Sequence, residues 1–374
     1  MSISDPASPR VAIVGTGGIA RAHARALAQL PAVSLAACVD PVADAREAFA
    51  AEFAVPRRVP SLAELLEGGG IDVVHLCTPP STHAPLALEA LGAGVHVLCE
   101  KPSALSLSEL DAIIAAERRS GARFATVFQH RFGPGGARLI ELARSGRLGS
   151  VRTATCETLW DRPPAYFDPP WRGRWGTEGG GPTLGHGIHQ IDLLLAALGP
   201  FTRICASARR QALPTNTEDV SAAVVEFASG AVATIISSLL SVRESSRLRI
   251  DLELASIEVE HVYGYTDADW RFTPRAGAPT DVRSAWDLPG DSPSSSHLDQ
   301  FRAVYGALAD GTAPAGLPVD SASARETLLL ITALYQSAFT GTWVTREEAD
   351  APGPFHRALD GGGRAPWDDV KEEH

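Results

Sequence analysis

Two short stretches of this 374-residue sequence carry residue types that can do chemistry at the spacing it requires. The first is Gly15-Thr16-Gly17-Gly18-Ile19-Ala20, a GxGxxA turn directly after the apolar run Val11–Val14. Gly15 permits a tight turn, Gly17 lets the backbone approach a pyrophosphate, and Ala20 lets the following helix pack close to the strand. That helix would aim free N–H groups and the positive end of its dipole at phosphates. Asp40 closes the next strand-like run, about 20 residues on, where a carboxylate accepts the ribose hydroxyls of NAD and repels the 2′-phosphate of NADP. NADP stays open as an alternative: Arg46 lies one turn into the next helix, and Asp40-Pro41 also reads as a simple helix cap.

The second stretch is Cys99-Glu100-Lys101-Pro102. Of the 33 basic residues only Lys101 and Lys371 are lysine, and Lys371 is four residues from the end. Lys101 follows a strand-like run, so it belongs at the carboxyl edge of a sheet, where ligands bind in open α/β folds. A compact three-donor cation with an adjustable pKa suits that place better than the arginine used elsewhere. Oxidising an alcohol needs a hydride acceptor, a group that takes the hydroxyl proton, and a charge that stabilises the developing alkoxide.

These residues need a scaffold, and the hydrophobic pattern supplies one. Strand-like runs at Val11–Val14, Ser34–Val39, Val73–Cys77, His96–Cys99 and Phe124–Phe128 alternate with helix-like stretches Ile19–Leu30, Pro41–Phe53, Leu62–Glu67, His83–Leu91 and Ser106–Arg119. That rhythm predicts a Rossmann-type, doubly wound parallel sheet over residues 1–130. Beyond it come Val151–Leu159, Thr202–Arg209, Val220–Ala228, Ala231–Leu240, Leu248–Leu254 and Ile257–Val262, then helices near His297–Leu308 and Ala322–Phe339. They predict an α+β domain with a mostly antiparallel open sheet over 131–348. Thr266–Ser296 reads as a long surface loop, and 349–374 as a loosely held acidic tail rich in Gly and Pro.

The ordered set Gly15–Ala20, Thr78-Pro79 with His83, Glu100-Lys101-Pro102 and Gly179-Gly180-Gly181 through His186, His189 and Asp192 resembles the glucose–fructose oxidoreductase / inositol dehydrogenase / MocA family over about residues 10–345. The resemblance implies NAD(P)-dependent oxidation or reduction of sugars, cyclitols and related polyols by a homodimer or homotetramer. It places Lys101 beside the nicotinamide and the substrate hydroxyl, with Glu100, the Thr78-Pro79 loop and His83 lining the cofactor. It makes His189 the proton-transfer residue or a ligand of the substrate hydroxyl. The family's usual aspartate, four residues before that histidine, is Gly185 here. His186 at i−3 and Asp192 at i+3 share a helical face with His189 and are the candidate substitutes. The same three residues could also be read as a metal face, but no fourth ligand is in view and no metal is expected.

Tyr166, Trp171, Arg172 and Trp175, with Arg174, form an aromatic and arginine-rich stretch suited to stacking on sugar rings or holding a carboxylate. Gln129-His130-Arg131 is a second cluster at the end of the last Rossmann strand, with Gln129 assigned to the cofactor. His75, His96 and His261 lie in strand-like runs and read as core or surface residues.

Composition narrows the partners. A formal charge of −11 disfavours nucleic acid, and no apolar run approaches the ~20 residues of a membrane span. Five scattered cysteines without a CxxC pair suit a reducing cytoplasm. The reading is an NAD-dependent enzyme moving a hydride to or from a ring hydroxyl of a small carbohydrate or cyclitol. Its rivals are glycoside-bond cleavage through transient oxidation and a non-catalytic NAD-binding sensor.

Overall fold

The computed structural model describes residues 9–288, 290, 295–309 and 317–369. Six short strands form one parallel sheet: β1 (Arg10–Val14), β2 (Ser34–Val39), β3 (Arg57–Val59), β4 (Val73–Leu76), β5 (His96–Cys99) and β6 (Phe124–Thr126). Their order, β3-β2-β1-β4-β5-β6, is that of a Rossmann fold. Continuous burial of β4 and β5 is what a parallel sheet covered on both faces demands. The connecting helices are α1 (Gly18–Leu27), α2 (Ala43–Phe53), α3 (Leu62–Glu67), α4 (His83–Gly92) and α5 (Leu107–Ser120). Ser106 caps α5 by accepting the Glu109 N–H, which ends the extended chain and starts the helix.

The remaining helices are α6 (Pro134–Arg144), α7 (Trp175–Glu178), α8 (Pro182–Gly185), α9 (Ile188–Leu198), α10 (Thr280–Arg283), α11 (His297–Ala309), α12 (Ser321–Thr340), α13 (Arg346–Asp350) and α14 (Pro354–Arg357). The second sheet is mixed: β7 (Val151–Asp161), β8 (Phe201–Arg209), β9 (Val220–Phe227), β10 (Val232–Ser238), β11 (Leu240–Leu252), β12 (Ala255–His261), β13 (Trp270–Pro274) and β14 (Val344–Thr345). It runs β13-β12-β11-β7-β10-β9-β8-β14, antiparallel throughout except for the β10–β7 pair. The hydrophobic helix α9, ten of whose eleven residues are buried, packs over β7 and β11.

The division of the chain differs from the expected boundaries. One unit comprises residues up to Phe128 together with His297–Arg325; the other comprises Gln129–Ser296 and the chain from Glu326 on. The return of His297–Arg325 to the first unit corrects the 131–348 assignment. Its cause is packing: Phe301, Val304, Tyr305 and Leu308 of α11 share one core with Ala20, Ala24 and Leu27 of α1. An amphipathic helix does not announce which apolar surface it will cover.

Four local expectations are also revised. Residues 134–144 form α6, and β13 and α10 lie within the expected loop. β11 begins eight residues earlier than expected: Leu240 already pairs with Asp161 of β7, and a register irregularity before Ser245, where Val242 and Arg243 are exposed, breaks the apolar pattern. The acidic tail is anchored: Ala365 and Trp367 are buried with Ala208, Ala338, Phe339 and Trp175. Among the described residues no helix is long and apolar enough to cross a membrane.

Candidate functional site

In the first unit, the glycine turn fits a dinucleotide on its own geometry. Gly15 has φ +86°, and a Cβ there would lie 2.8 Å from the Cys77 carbonyl oxygen, so glycine is required twice over. A Cβ on Gly17 or Gly18 would meet nothing within 4 Å, which leaves the approach to the backbone open. Gly17 is the N-cap of α1, makes no side-chain cap, and no acidic residue stands in the first turn. Those N–H groups are arranged for an external anion. Ala20 is fully buried, as close packing of helix on sheet requires, while Ile19 is 39% exposed.

Asp40 is tied to this turn. Its Oδ2 accepts the backbone N–H (2.9 Å) and hydroxyl (2.8 Å) of Thr16, and its Oδ1 accepts the Val42 N–H at 2.9 Å. A carboxylate offers ~4 lone-pair sites, so capacity for a ribose hydroxyl remains. Arg46 gives one N–H to the Asp40 carbonyl at 2.6 Å, a structural bond to the main chain.

At the same sheet edge, Thr78-Pro79 follows β4 and Glu100-Lys101 follows β5. His83 is buried between these loops, its Nδ1 2.8 Å from the Pro102 carbonyl and its Nε2 2.8 Å from the Thr78 carbonyl. It therefore clamps the two loops together at the sheet edge. Burial pushes its pKa down against the pull of both carbonyls. Glu100 is buried and accepts hydrogen bonds from three directions: His23 Nε2 at 2.9 Å, His297 Nε2 at 3.1 Å and the Lys101 backbone N–H at 3.1 Å. Burial alone would raise its pKa, but the two imidazoles hold it well below the ordinary carboxylate range. Lys101 itself is half-buried.

The second unit places its predicted residues in two clusters. His186 and His189 are not on one helix, because the chain breaks at Gly187 between α8 and α9. His186 Nε2 is 3.3 Å from the Tyr166 hydroxyl, and its ring meets Trp160 edge-on at 4.8 Å. His189, in the first turn of α9, stacks on His130 with ring centroids 5.0 Å apart. Among the described residues His186, His189 and Asp192 do not form a metal-ligand group. Gly185 faces open space where a side chain would project.

Asp192 does not take up the supporting role. Its oxygens receive Arg131 Nε at 2.7 Å and Nη2 at 2.6 Å, and Oδ1 also takes the Thr327 hydroxyl at 3.0 Å. Burial pushes the Asp192 carboxyl up and Arg131 opposes it, as expected of a buried ion pair. Gln129, one residue before His130, holds its side-chain carbonyl oxygen buried with no hydrogen-bond partner among the described residues.

The aromatic stretch also divides. Arg172 lies over the Tyr166 ring at 4.0 Å and the Trp171 ring at 4.3 Å, bonds the Tyr166 hydroxyl, and pairs with Glu178 at 3.1 Å. Its charge is thus compensated, and what it offers is a flat stacked platform. Trp175 leaves the substrate wall: its indole donates to the Asn216 carbonyl and stacks at 6.3 Å on Trp367, anchoring the C-terminal segment.

Sequence reasoning missed Glu218. It is fully buried and accepts the N–H groups of Gly181 (3.0 Å) and Thr183 (3.2 Å) and the Tyr335 hydroxyl (2.8 Å). It therefore fixes the start of α8 and the approach to His186. Its only local signal is a Glu-Asp pair beside a strand, which looks like surface. His23 and Tyr305 were missed because their partners are far away in sequence, while His75, read as a core or surface residue, is wholly buried.

Two family signatures match the chain. Residues 9–128 match an oxidoreductase family with an NAD-binding Rossmann fold, and residues 137–258 match the GFO/IDH/MocA C-terminal domain. The D-glucoside 3-dehydrogenase of Escherichia coli is 27% identical over 362 residues, covering 90% of this chain and 97% of that protein. An oxidoreductase of Bacillus subtilis, YrbE, is 27% identical over 231 residues, covering 60% of this chain and 66% of that protein. The dehydrogenase WlbA of Chromobacterium violaceum, solved with NADH and UDP-GlcNAcA, superposes with a TM-score of 0.81 at 25% identity, covering 92% of this chain and 97% of that one.

Proposed function

The chain belongs to the GFO/IDH/MocA family of oxidoreductases with an NAD-binding Rossmann fold, and from that premise we propose which substrate class it acts on and which residues act. The substrate is a sugar, glycoside or cyclitol, oxidised at a ring hydroxyl or reduced at the corresponding ketone. The observation that carries this reading is the carboxyl edge of the parallel sheet. There one open glycine turn, an acceptor at Asp40 and the lone lysine of the body of the chain, Lys101, occupy neighbouring loop ends. When bound, NAD supplies the nicotinamide carbon that accepts or returns the hydride.

Gly15 to Ile19 and Asp40 would hold the cofactor, with Thr78, Pro79 and Gln129 beside it. Lys101 orients the reacting oxygen and stabilises its developing negative charge. His189 takes the hydroxyl proton; an imidazole suits a proton that must be exchanged near neutrality. His186, Tyr166, Trp171 and Arg172 form a stacked wall for the sugar ring, which suits the aromatic and cationic faces they present. Asp40 favours NAD over NADP. All five cysteines are free, which supports a reducing cytoplasm. The half-exposed Val224, Val232 and Ile236 on β9 and β10 support a homodimer or homotetramer.

The test is absorbance at 340 nm with NAD and a panel of sugars, glycosides and cyclitols. Turnover that falls roughly a hundredfold or more in Lys101→Ala and in His189→Ala supports the assignment. An unchanged kcat/KM in Lys101→Ala on a true substrate overturns it.

A further inference from the structure

The first unit contains a buried polar chain that hydride transfer does not by itself require. It is read outward from Glu100. A carboxylate can only accept hydrogen bonds, so the two imidazole nitrogens at its Oε1, His23 Nε2 (2.9 Å) and His297 Nε2 (3.1 Å), must both donate. With its proton committed to Nε2, a neutral His23 presents a lone pair at Nδ1. The atom 2.9 Å away is His75 Nδ1, which must therefore carry the proton. His75 is left with a lone pair at Nε2, and the Tyr305 hydroxyl donates to it at 2.7 Å. One arrangement of protons satisfies every member, running from Tyr305 through His75 and His23 to Glu100. Reversing it would turn a lone pair of His23 against the carboxylate.

The members come from distant parts of the chain: α1, β4, the end of β5 and α11. His23 and His75 are wholly buried, and burial keeps both imidazoles neutral. Apolar side chains at positions 75 and 305 would fill the same core without polar groups to satisfy, so stability alone does not ask for the chain. Its output is local. The second oxygen of Glu100 accepts the backbone N–H of Lys101 at 3.1 Å.

We propose that Tyr305, His75, His23 and His297 are positioning residues that hold Glu100 as a directed carboxylate and so seat Lys101 at the sheet edge. This rests on the reading that Lys101 faces the reacting oxygen. The ligand atoms of His23, Glu100 and His297 lie within 4.8 Å of one another, so a metal ion is the competing occupant. A metal would need the opposite tautomer of His23, with the lone pair on Nε2 and the proton on Nδ1.

Long-range 15N–1H NMR of the labelled, unsubstituted chain distinguishes the two, because ring tautomers are directly observable there. The expected result is a proton on Nε2 of His23 and on Nδ1 of His75. A proton on Nδ1 of His23 with an unprotonated Nε2 overturns the proposal, as does a stoichiometric metal in the purified protein. This readout needs no substrate, so it separates failure of the network from failure of the dehydrogenase reading. In kinetics, His75→Phe should lower kcat roughly ten- to a hundredfold while the Kd for NAD changes by less than about threefold, since the glycine turn keeps its own bonds. His75→Gln, whose amide can donate to His23 Nδ1, should recover much of the loss. Tyr305→Phe, which removes one hydroxyl, should keep the fold and lower kcat by a smaller factor. Normal kcat in both His75→Phe and Tyr305→Phe also overturns the proposal.

Discussion

Asp192 is the residue at which scaffold and chemistry can be separated most sharply. Its carboxylate is fully buried, bonded twice to Arg131 and once to Thr327, and the Arg131 side chain is only 19% exposed. In Asp192→Asn the shape survives, but a buried guanidinium loses its counter-charge and meets an amide. Breaking one partner of such a pair costs about 3–5 kcal/mol. Against a total stability of about 5–15 kcal/mol for an ordinary domain, that loss is large. Replacing both partners, Arg131→Met with Asp192→Leu, removes the two charges together. Most of the stability should return, giving a coupling energy of about 2 kcal/mol or more in the double-mutant cycle. Urea unfolding followed by tryptophan fluorescence measures the cycle formed by Arg131→Met, Asp192→Leu and their combination, and kcat/KM is measured in parallel on these proteins and on Asp192→Asn. If Asp192→Asn left the unfolding midpoint in place and lowered kcat roughly a hundredfold, the carboxylate would be the proton-transfer partner of His189 and the structural assignment would be wrong.

Three further outcomes are expected. His261, with its Nε2 3.0 Å from Gln190, has its imidazole pushed down to about 4 by burial. The unfolded imidazole titrates near 6.5, so the unfolded chain holds the extra proton between those values. Stability is therefore complete above pH 6.5 and is lost as pH falls toward 4, by up to about 3 kcal/mol; His261→Gln should flatten denaturation midpoints across that window. Trp367→Ala should cost about 3 kcal/mol, because the indole is buried against Trp175 and Phe339; an unchanged thermal midpoint would mean the C-terminal segment is not anchored. Asp40→Ser removes the carboxylate proposed to accept the ribose hydroxyls, and the ratio of kcat/KM for NAD to that for NADP should fall roughly tenfold or more.

Much of the first unit was legible because its information is local. The GxGxxA turn, the strand before it and the helix after it lie within twenty residues, and that strand is apolar and buried from Val11 to Val14. The same holds for the capped start of α5. β11 and β13 were less legible, since strands with one face toward solvent carry Arg, Glu and Ser that break the apolar pattern. The site residues divide on the same line. Lys101 stood out by composition and position, and His189 by its place in a motif.

What the amino-acid order determined by itself was the class of chemistry: a glycine turn of dinucleotide type, an aspartate closing the second strand and one lysine at the end of a strand. Tertiary structure alone decided the partners. It gave Asp192 to Arg131, turned Trp175 toward Trp367, set His83 between two loop carbonyls, and brought His23, His75, Glu100, His297 and Tyr305 into one hydrogen-bonded chain. The reason is physical. Secondary structure follows from neighbours a few positions apart, whereas a buried charge or imidazole must be satisfied by whatever donor or acceptor the fold brings within about 3 Å, however far away it lies in sequence.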